Sequence, residues 1–325
     1  SRQISYIGRK EVFMGRAKFG VFGDGKELPQ IAMSKFFRNG DFRSGYYRDQ
    51  TFMMSINQLT PDQFFAQLYA HTDIKKDPHS GGRQMNCHFG TRLLNENGDW
   101  KTQTDMMNSV SDISCVSGQM PRIVGLAYAS KLYRNNKNLS DMENFSINGN
   151  EVVFGTIGDA STSEGHFWEA INACGVLQVP LIMSIWDDGY GISVPSEYHT
   201  TRNDLSKALS GFQRSSKKEN GYEIFTVHAW DYINLLKTYQ KAEKLAREDH
   251  VPCIIHVKDV TQPQGHTTSG SHERYKSKER LNWEKDFCCI KRMREWIIEN
   301  NFASNSEIDI IEKNAEEIAK KSRDR

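Results

Sequence analysis

Three things are scarce in this chain of 325 residues: long apolar runs, surplus charge of either sign, and cysteines in paired spacing. No apolar stretch nears the roughly 20 residues that a bilayer-spanning helix needs, so no membrane span is expected. Lys and Arg number 42 against 41 Asp and Glu, and no global basic field favours nucleic acid or an anionic membrane surface. The cysteines Cys87, Cys115, Cys174, Cys253, Cys288 and Cys289 show no C-x-x-C spacing. Reduced thiols are expected, with no zinc site. The opening Ser1-Arg2-Gln3-Ile4 lacks the apolar block of a secretory signal, which argues for an intracellular protein that is not secreted. It also lacks an initiator methionine, so the true start is expected to be absent from this sequence.

What is present is an alternation. Apolar segments at 151–157, 179–185, 222–228 and 251–258 read as strands, and helical spacing fills 164–177 and 231–248. Strands alternating with helices imply an α/β fold with a mostly parallel sheet flanked by helices. Before it, helices are expected at 9–18, 30–38, 61–69 (opened by Pro61) and 119–133, with a Gly-, His- and Asn-rich loop at 71–97. After it, helices at 283–299 and 306–323 end the chain. The division expected is one α/β domain over 1–325 with helical N- and C-terminal extensions. The last, 283–325, would suit a linker into a further half. Ser161-x-x-Glu164 predicts a capping box at the start of the 164–177 helix.

Two polar clusters stand at the ends of successive strands. Gly158-Asp159-Ala160-Ser161-Thr162-Ser163-Glu164-Gly165 follows the first, and Trp186-Asp187-Asp188-Gly189-Tyr190 follows the second. In an open parallel sheet, ligands sit beyond the carboxyl ends of strands. Asp159 and Asp188 would then face one site, with the Tyr190 carbonyl as a third oxygen. Hard oxygen ligands beside a helix start suit Mg²⁺ carrying phosphate oxygens, hence a diphosphate-containing cofactor. Spacing alone equally suits two ordinary surface turns.

The pattern resembles the thiamine-diphosphate fingerprint, Gly-Asp-Gly followed about thirty residues later by Asn-Asn. More particularly, the chain resembles the α subunit of the E1 component of 2-oxoacid dehydrogenase complexes, from about Gly15 to the last helix. Four further segments, in the family's order, carry the resemblance: Gly45-Tyr46-Tyr47-Arg48-Asp49-Gln50, Gly82-Arg83-Gln84-Met85-Asn86-Cys87-His88, Ile113 to Pro121, and Gly265-His266-Thr267-Thr268-Ser269. The resemblance implies a thiamine-diphosphate-binding fold in which Tyr47 and Arg48 hold the diphosphate and Ser114 and Val116 contact the aminopyrimidine. It further implies that Gly158, Asp159 and Ala160 line the diphosphate and that Asp159, Asp188 and Tyr190 bind Mg²⁺. His266 would be the catalytic histidine beside the cofactor and the incoming lipoyl group; His88 also has a counterpart.

The implied reaction is oxidative decarboxylation of a 2-oxo acid, with acyl transfer to the lipoyl group of an E2 component. The loop Gly82-Arg83-Gln84-Met85 favours branched-chain substrates, with pyruvate or acetoin as the alternative. The activating Glu is expected on a β partner, separate or fused, in an α2β2-type assembly, in a bacterial cytoplasm or a mitochondrial matrix. Three departures from the pattern matter. Ala160 replaces a Gly; Asp187-Asp188 replaces Asn-Asn, which predicts a pH-sensitive metal site; Gly118 replaces a hydroxyl residue of a monovalent-cation loop. Thr267 stands where relatives carry a regulatory phosphoserine, so phosphorylation control is not expected. Two other classes stay open: a Mg²⁺-dependent phosphohydrolase built on Asp159 and Asp188, and a catalytically silent assembly subunit.

Overall fold

A computed structural model describes residues 1–268 and 271–325. Ser269, the last residue of one matching segment, lies outside the described residues. The described residues form eight strands: β1 (Phe42–Ser44), β2 (Asn108–Ser109), β3 (Val153–Gly158), β4 (Leu181–Trp186), β5 (Tyr190–Gly191), β6 (Val194–Pro195), β7 (Glu223–His228) and β8 (Cys253–Lys258). Six of them form a parallel sheet in the order β2-β1-β3-β4-β8-β7, while β5 and β6 make a small antiparallel hairpin after β4. The helices are α1 (Arg2–Phe13), α2 (Glu27–Ser34), α3 (Gln50–Ser55), α4 (Pro61–Leu68), α5 (Met120–Asn135) and α6 (Gly165–Leu177). They continue with α7 (Leu205–Ala208), α8 (Tyr232–Asp249), α9 (Lys278–Asp286), α10 (Cys289–Glu299) and α11 (Asn305–Asp324).

Of the four strands expected from apolar runs, β3, β4 and β8 are central and covered on both faces, while β7 forms the edge of the sheet and is only partly buried. Val153 and Ile157 of β3 and Leu181, Met183 and Ile185 of β4 pack with Ile123 of α5 and Phe167 and Ile171 of α6. The alternate residues Phe154, Ile182 and Trp186 face the opposite core, with Leu235 and Tyr239 of α8 and Met33 of α2. A strand buried on both faces reads as a continuous apolar run rather than an alternation. Helix α8 starts where Asp231 accepts a hydrogen bond from Asn234 N, and α4 starts at a capping box between Thr60 and Gln63.

Several expectations are corrected. The capping box at Ser161 and Glu164 does not form: Ala160–Ser163 is a 3₁₀ turn, and Glu164 is the N-cap of α6 without a side-chain cap. The helix expected at 283–299 is two, α9 and α10, because Cys288 adopts an extended ψ of 122° between them. The first helix lies earlier than expected, over Arg2–Phe13, burying Ile4, Ile7, Gly8 and Glu11 at helical spacing. Between β4 and β7, the segment 187–220 holds the β5–β6 hairpin and α7. Helix α11, at the end of the expected extension, packs back on α1 and α4. All six cysteines are free thiols. Among the described residues no helix is long and apolar enough to cross a membrane.

Candidate functional site

The sheet order places the site. From β1 the chain proceeds to β2 on one side, while from β3 it proceeds to β4 on the other. The crevice beyond the carboxyl ends of β1 and β3 is therefore the topological switch point, where ligands bind in such sheets. Three strand tips converge there. After β1, Gly45 permits a tight turn, since a Cβ would fall 2.0 Å from Asp49 Oδ2. The Arg43 guanidinium and the Thr156 hydroxyl of β3 clamp that same carboxylate, at 2.7 Å and 2.5 Å. The turn directs Tyr46, Tyr47 and Arg48 over the sheet edge. Asp159 follows β3 and Asp188 follows β4, on strands paired in register through Gly158 and Trp186. His266 arrives on the loop after β8.

These groups line one cavity of about 260 Å³. Of the residues expected from sequence, Tyr47, Arg48, Val116, Gly158, Asp159, Ala160, Asp188, Tyr190 and His266 line it, and Ser114 does not. Ser114 lies nearby on an exposed segment, its hydroxyl 3.0 Å from His88 Nε2. Since His88 Nδ1 faces the Met85 carbonyl at 3.2 Å, the tautomer that suits both contacts carries its proton on Nδ1 and accepts from Ser114. Tyr46, Ser161, Gly191 and Ile192 also line the cavity and were not singled out from sequence. The Tyr46-Tyr47 doublet was the available signal for the first; the hairpin residues carried none.

The two carboxylates sit in unlike surroundings. Asp188 Oδ1 is 3.1 Å from His266 Nε2 and accepts from Tyr190 N at 3.2 Å, and Oδ2 lies 3.3 Å from Lys26 Nζ. Burial works against its charge, but His266, Lys26 and Lys276 hold the carboxyl well below the usual range. Asp159 is the opposite case. Its Oδ2 is buried without a hydrogen-bond partner, and His199 Nε2, also unpartnered, approaches only to 3.9 Å. Burial, then the charges of Asp188 and Asp187, push the Asp159 carboxyl well up. Burial lowers His266, against the pull of Asp188. With its Nε2 hydrogen on Asp188, His266 keeps an unpartnered Nδ1 lone pair.

Arg48 is buried and stacks on Tyr47 at 5.3 Å. It donates to the carbonyls of Phe22 at 2.6 Å and His266 at 2.8 Å, which leaves part of its five-donor fork for an anion. Arg280 Nη2 donates to the Asp188 carbonyl at 2.5 Å and, with Lys276, flanks the Tyr190 ring. Asp187 turns away from the cavity to His256 Nε2 at 2.7 Å. Among the described residues no trio of His, Cys, Asp or Glu is placed to hold a metal. The candidate set is instead two carboxylates and the Tyr190 carbonyl. An unpartnered buried carboxylate oxygen beside a second carboxylate and an arginine fits a hard divalent cation bridging to a phosphate group.

Comparison with known proteins gives the family. The model of the dehydrogenase E1 component matches residues 7–324. The chain is similar to the mitochondrial 2-oxoisovalerate dehydrogenase subunit alpha of Homo sapiens, with 25% identity over 287 residues, 87% of this chain and 55% of that protein. It is similar to the 2-oxoisovalerate dehydrogenase subunit alpha of Bacillus subtilis, with 26% identity over 242 residues, 74% of this chain and 62% of the relative. The pyruvate dehydrogenase E1 component subunit alpha of Rickettsia bellii shares 27% over 208 residues, 64% of this chain and 56% of the relative. The chain thus spans little more than half the length of the relatives it matches. A family match over nearly its whole length, on a parallel sheet with its acidic site at the switch point, decides the assignment: the chain belongs to the dehydrogenase E1 component family.

Proposed function

We propose that this chain is the α subunit, or α half, of a thiamine-diphosphate- and Mg²⁺-dependent 2-oxoacid dehydrogenase E1, which decarboxylates a 2-oxo acid and passes the acyl unit to the lipoyl group of an E2 component. The observation that carries the reading is the meeting of Asp159 and Asp188 at adjacent strand tips, in one cavity with Arg48 and His266. Asp159, Asp188 and the Tyr190 carbonyl would hold Mg²⁺; Tyr47, Arg48, Gly158 and Ala160 would hold the diphosphate. Thiamine diphosphate, when bound, supplies the nucleophile and the electron sink that decarboxylation requires. The protein supplies placement and charge. His266 offers a lone pair on Nδ1, able to hold a proton beside the reacting groups, while Asp188 fixes its ring. Val116 would contact and orient the aminopyrimidine, and Ser114, tied to His88, would border it.

Val116 and Ile192 stand 47% and 57% exposed at the cavity. Apolar side chains in that position suit cover by a β partner, which would also bring the activating Glu. Branched-chain substrates are favoured by the Gly82-Arg83-Gln84-Met85 loop and by the names of the human and Bacillus relatives. The Rickettsia relative keeps pyruvate as the alternative. The test is CO₂ release by the chain assembled with a β partner, across a panel of 2-oxo acids. Release that requires thiamine diphosphate, Mg²⁺ and the partner, fastest with branched-chain substrates, is expected. Phosphate-ester hydrolysis without thiamine diphosphate would replace this reading with the phosphohydrolase. Cofactor binding without turnover would replace it with the silent subunit.

A further inference from the structure

Asp188 is the member of the candidate metal set whose charge is already matched from within the chain. Lys26, only 1% exposed, places Nζ 3.3 Å from Asp188 Oδ2 and donates to Gln262 Oε1 at 2.6 Å. It does not line the cavity, so it meets the carboxylate from the protein side. Its placement is built into the fold. Lys26 is the N-cap of α2, and the chain reaches it through Gly25 at φ +93°, where a Cβ would fall 1.7 Å from the Thr261 carbonyl oxygen. Only glycine permits that approach, which presses residues 24–26 against the 261–264 loop. Gln264 N closes the contact by donating to Asp24 Oδ2 at 3.1 Å. A buried ammonium persists only beside a partner charge. Asp159, by contrast, has no lysine or arginine within ion-pair distance among the described residues.

We infer that Lys26 is a positioning residue of the metal subsite, cancelling the charge of Asp188 and fixing that carboxylate's orientation. This inference rests on the functional reading above. With Lys26 in place, two carboxylates present the net charge of one. That balance suits a site that must hold a divalent cation and a diphosphate together. Two uncompensated carboxylates would grip the cation but repel the diphosphate. A neutral amide at position 188, as in the Asn-Asn form of the fingerprint, would make a cationic residue at 26 a burden to the metal.

The test reads binding by the chain assembled with its β partner rather than turnover: Mn²⁺ by electron paramagnetic resonance, and inorganic pyrophosphate by calorimetry at saturating Mn²⁺. Lys26→Met is expected to tighten Mn²⁺ and weaken pyrophosphate, each by about tenfold. Asp188→Asn is expected to weaken Mn²⁺ by about tenfold, with Lys26 then unopposed. The double variant Lys26→Met/Asp188→Asn should return both affinities to within about threefold of the parent, since the local charge is restored. Lys26→Arg keeps the charge and should keep both affinities. If the single methionine variant does not fold, the double variant and Lys26→Arg still decide. Losses of both ligands in every variant, additive in the double, would mean that Lys26 only packs, and would overturn the inference alone. A parent protein that binds neither probe would overturn the functional reading and this inference with it.

Discussion

Asp159 concentrates the electrostatic cost of the site. It is buried, unpartnered at Oδ2 and flanked by two further acidic residues, so its ionised form is disfavoured until a cation arrives. Its folded-state pKa lies above the unfolded value. The stability linked to it is therefore present below the ordinary carboxylate range and lost as pH rises. At neutral pH, Asp159→Asn should stabilise the ligand-free protein by about 1–3 kcal/mol while removing Mg²⁺ binding, as thermal melts with and without the metal would show. A second buried carboxyl titrates in a measurable range. Burial pushes Asp112 up to about 6, against the pull of Arg43. Its share of stability is full below about pH 4 and lost as pH rises through about 6. Asp112→Asn should flatten the melting temperature against pH across that window; an unchanged slope would count against the assignment.

Among the elements, β1 and β2 illustrate how a polar network does the work of a core. Arg43 is fully buried, joined to Asp49 at 2.7 Å and Asp112 at 3.0 Å, and donates to Ser109 Oγ at 2.9 Å and the Tyr46 carbonyl at 3.0 Å. Asp112 in turn accepts from Phe89 N at 2.9 Å. One guanidinium thus anchors the segments that carry Tyr47 and Arg48, Ser114 and Val116, and His88. Arg43→Met would strand two buried carboxylates and should cost about 3–5 kcal/mol in denaturant unfolding. The same network explains what the sequence concealed. Strands β3, β4, β7 and β8 were legible because the runs near 153, 181, 223 and 253 are apolar. Phe42-Arg43-Ser44 and Asn108-Ser109 carried no strand signal, since their polar side chains are satisfied only by distant partners. The acidic strand tips were legible from Gly158-Asp159 and Asp187-Asp188. Lys26 was not, because nothing local marks a lone lysine 162 residues away as the partner of Asp188.

At the scale of the whole molecule, the sheet brings β1, β3 and β4 to one edge, and the helices cover the two faces rather than that edge. The cavity is left bordered by Val116 and Ile192, with Val194 and Tyr198 also exposed on the loop after β4. The chain spans about 55% of its human relative, and the apolar side chains around its site suit the partner cover proposed above. Whatever completes it, the claim on which the account depends concerns two carboxylates, an arginine and the ligand they share. Calorimetric titration of thiamine diphosphate into the protein with its β partner, with and without Mg²⁺, tests it most directly. Saturable binding that requires Mg²⁺ and is lost in both Asp159→Ala and Arg48→Ala is expected. Binding indifferent to the metal and to both substitutions would contradict it.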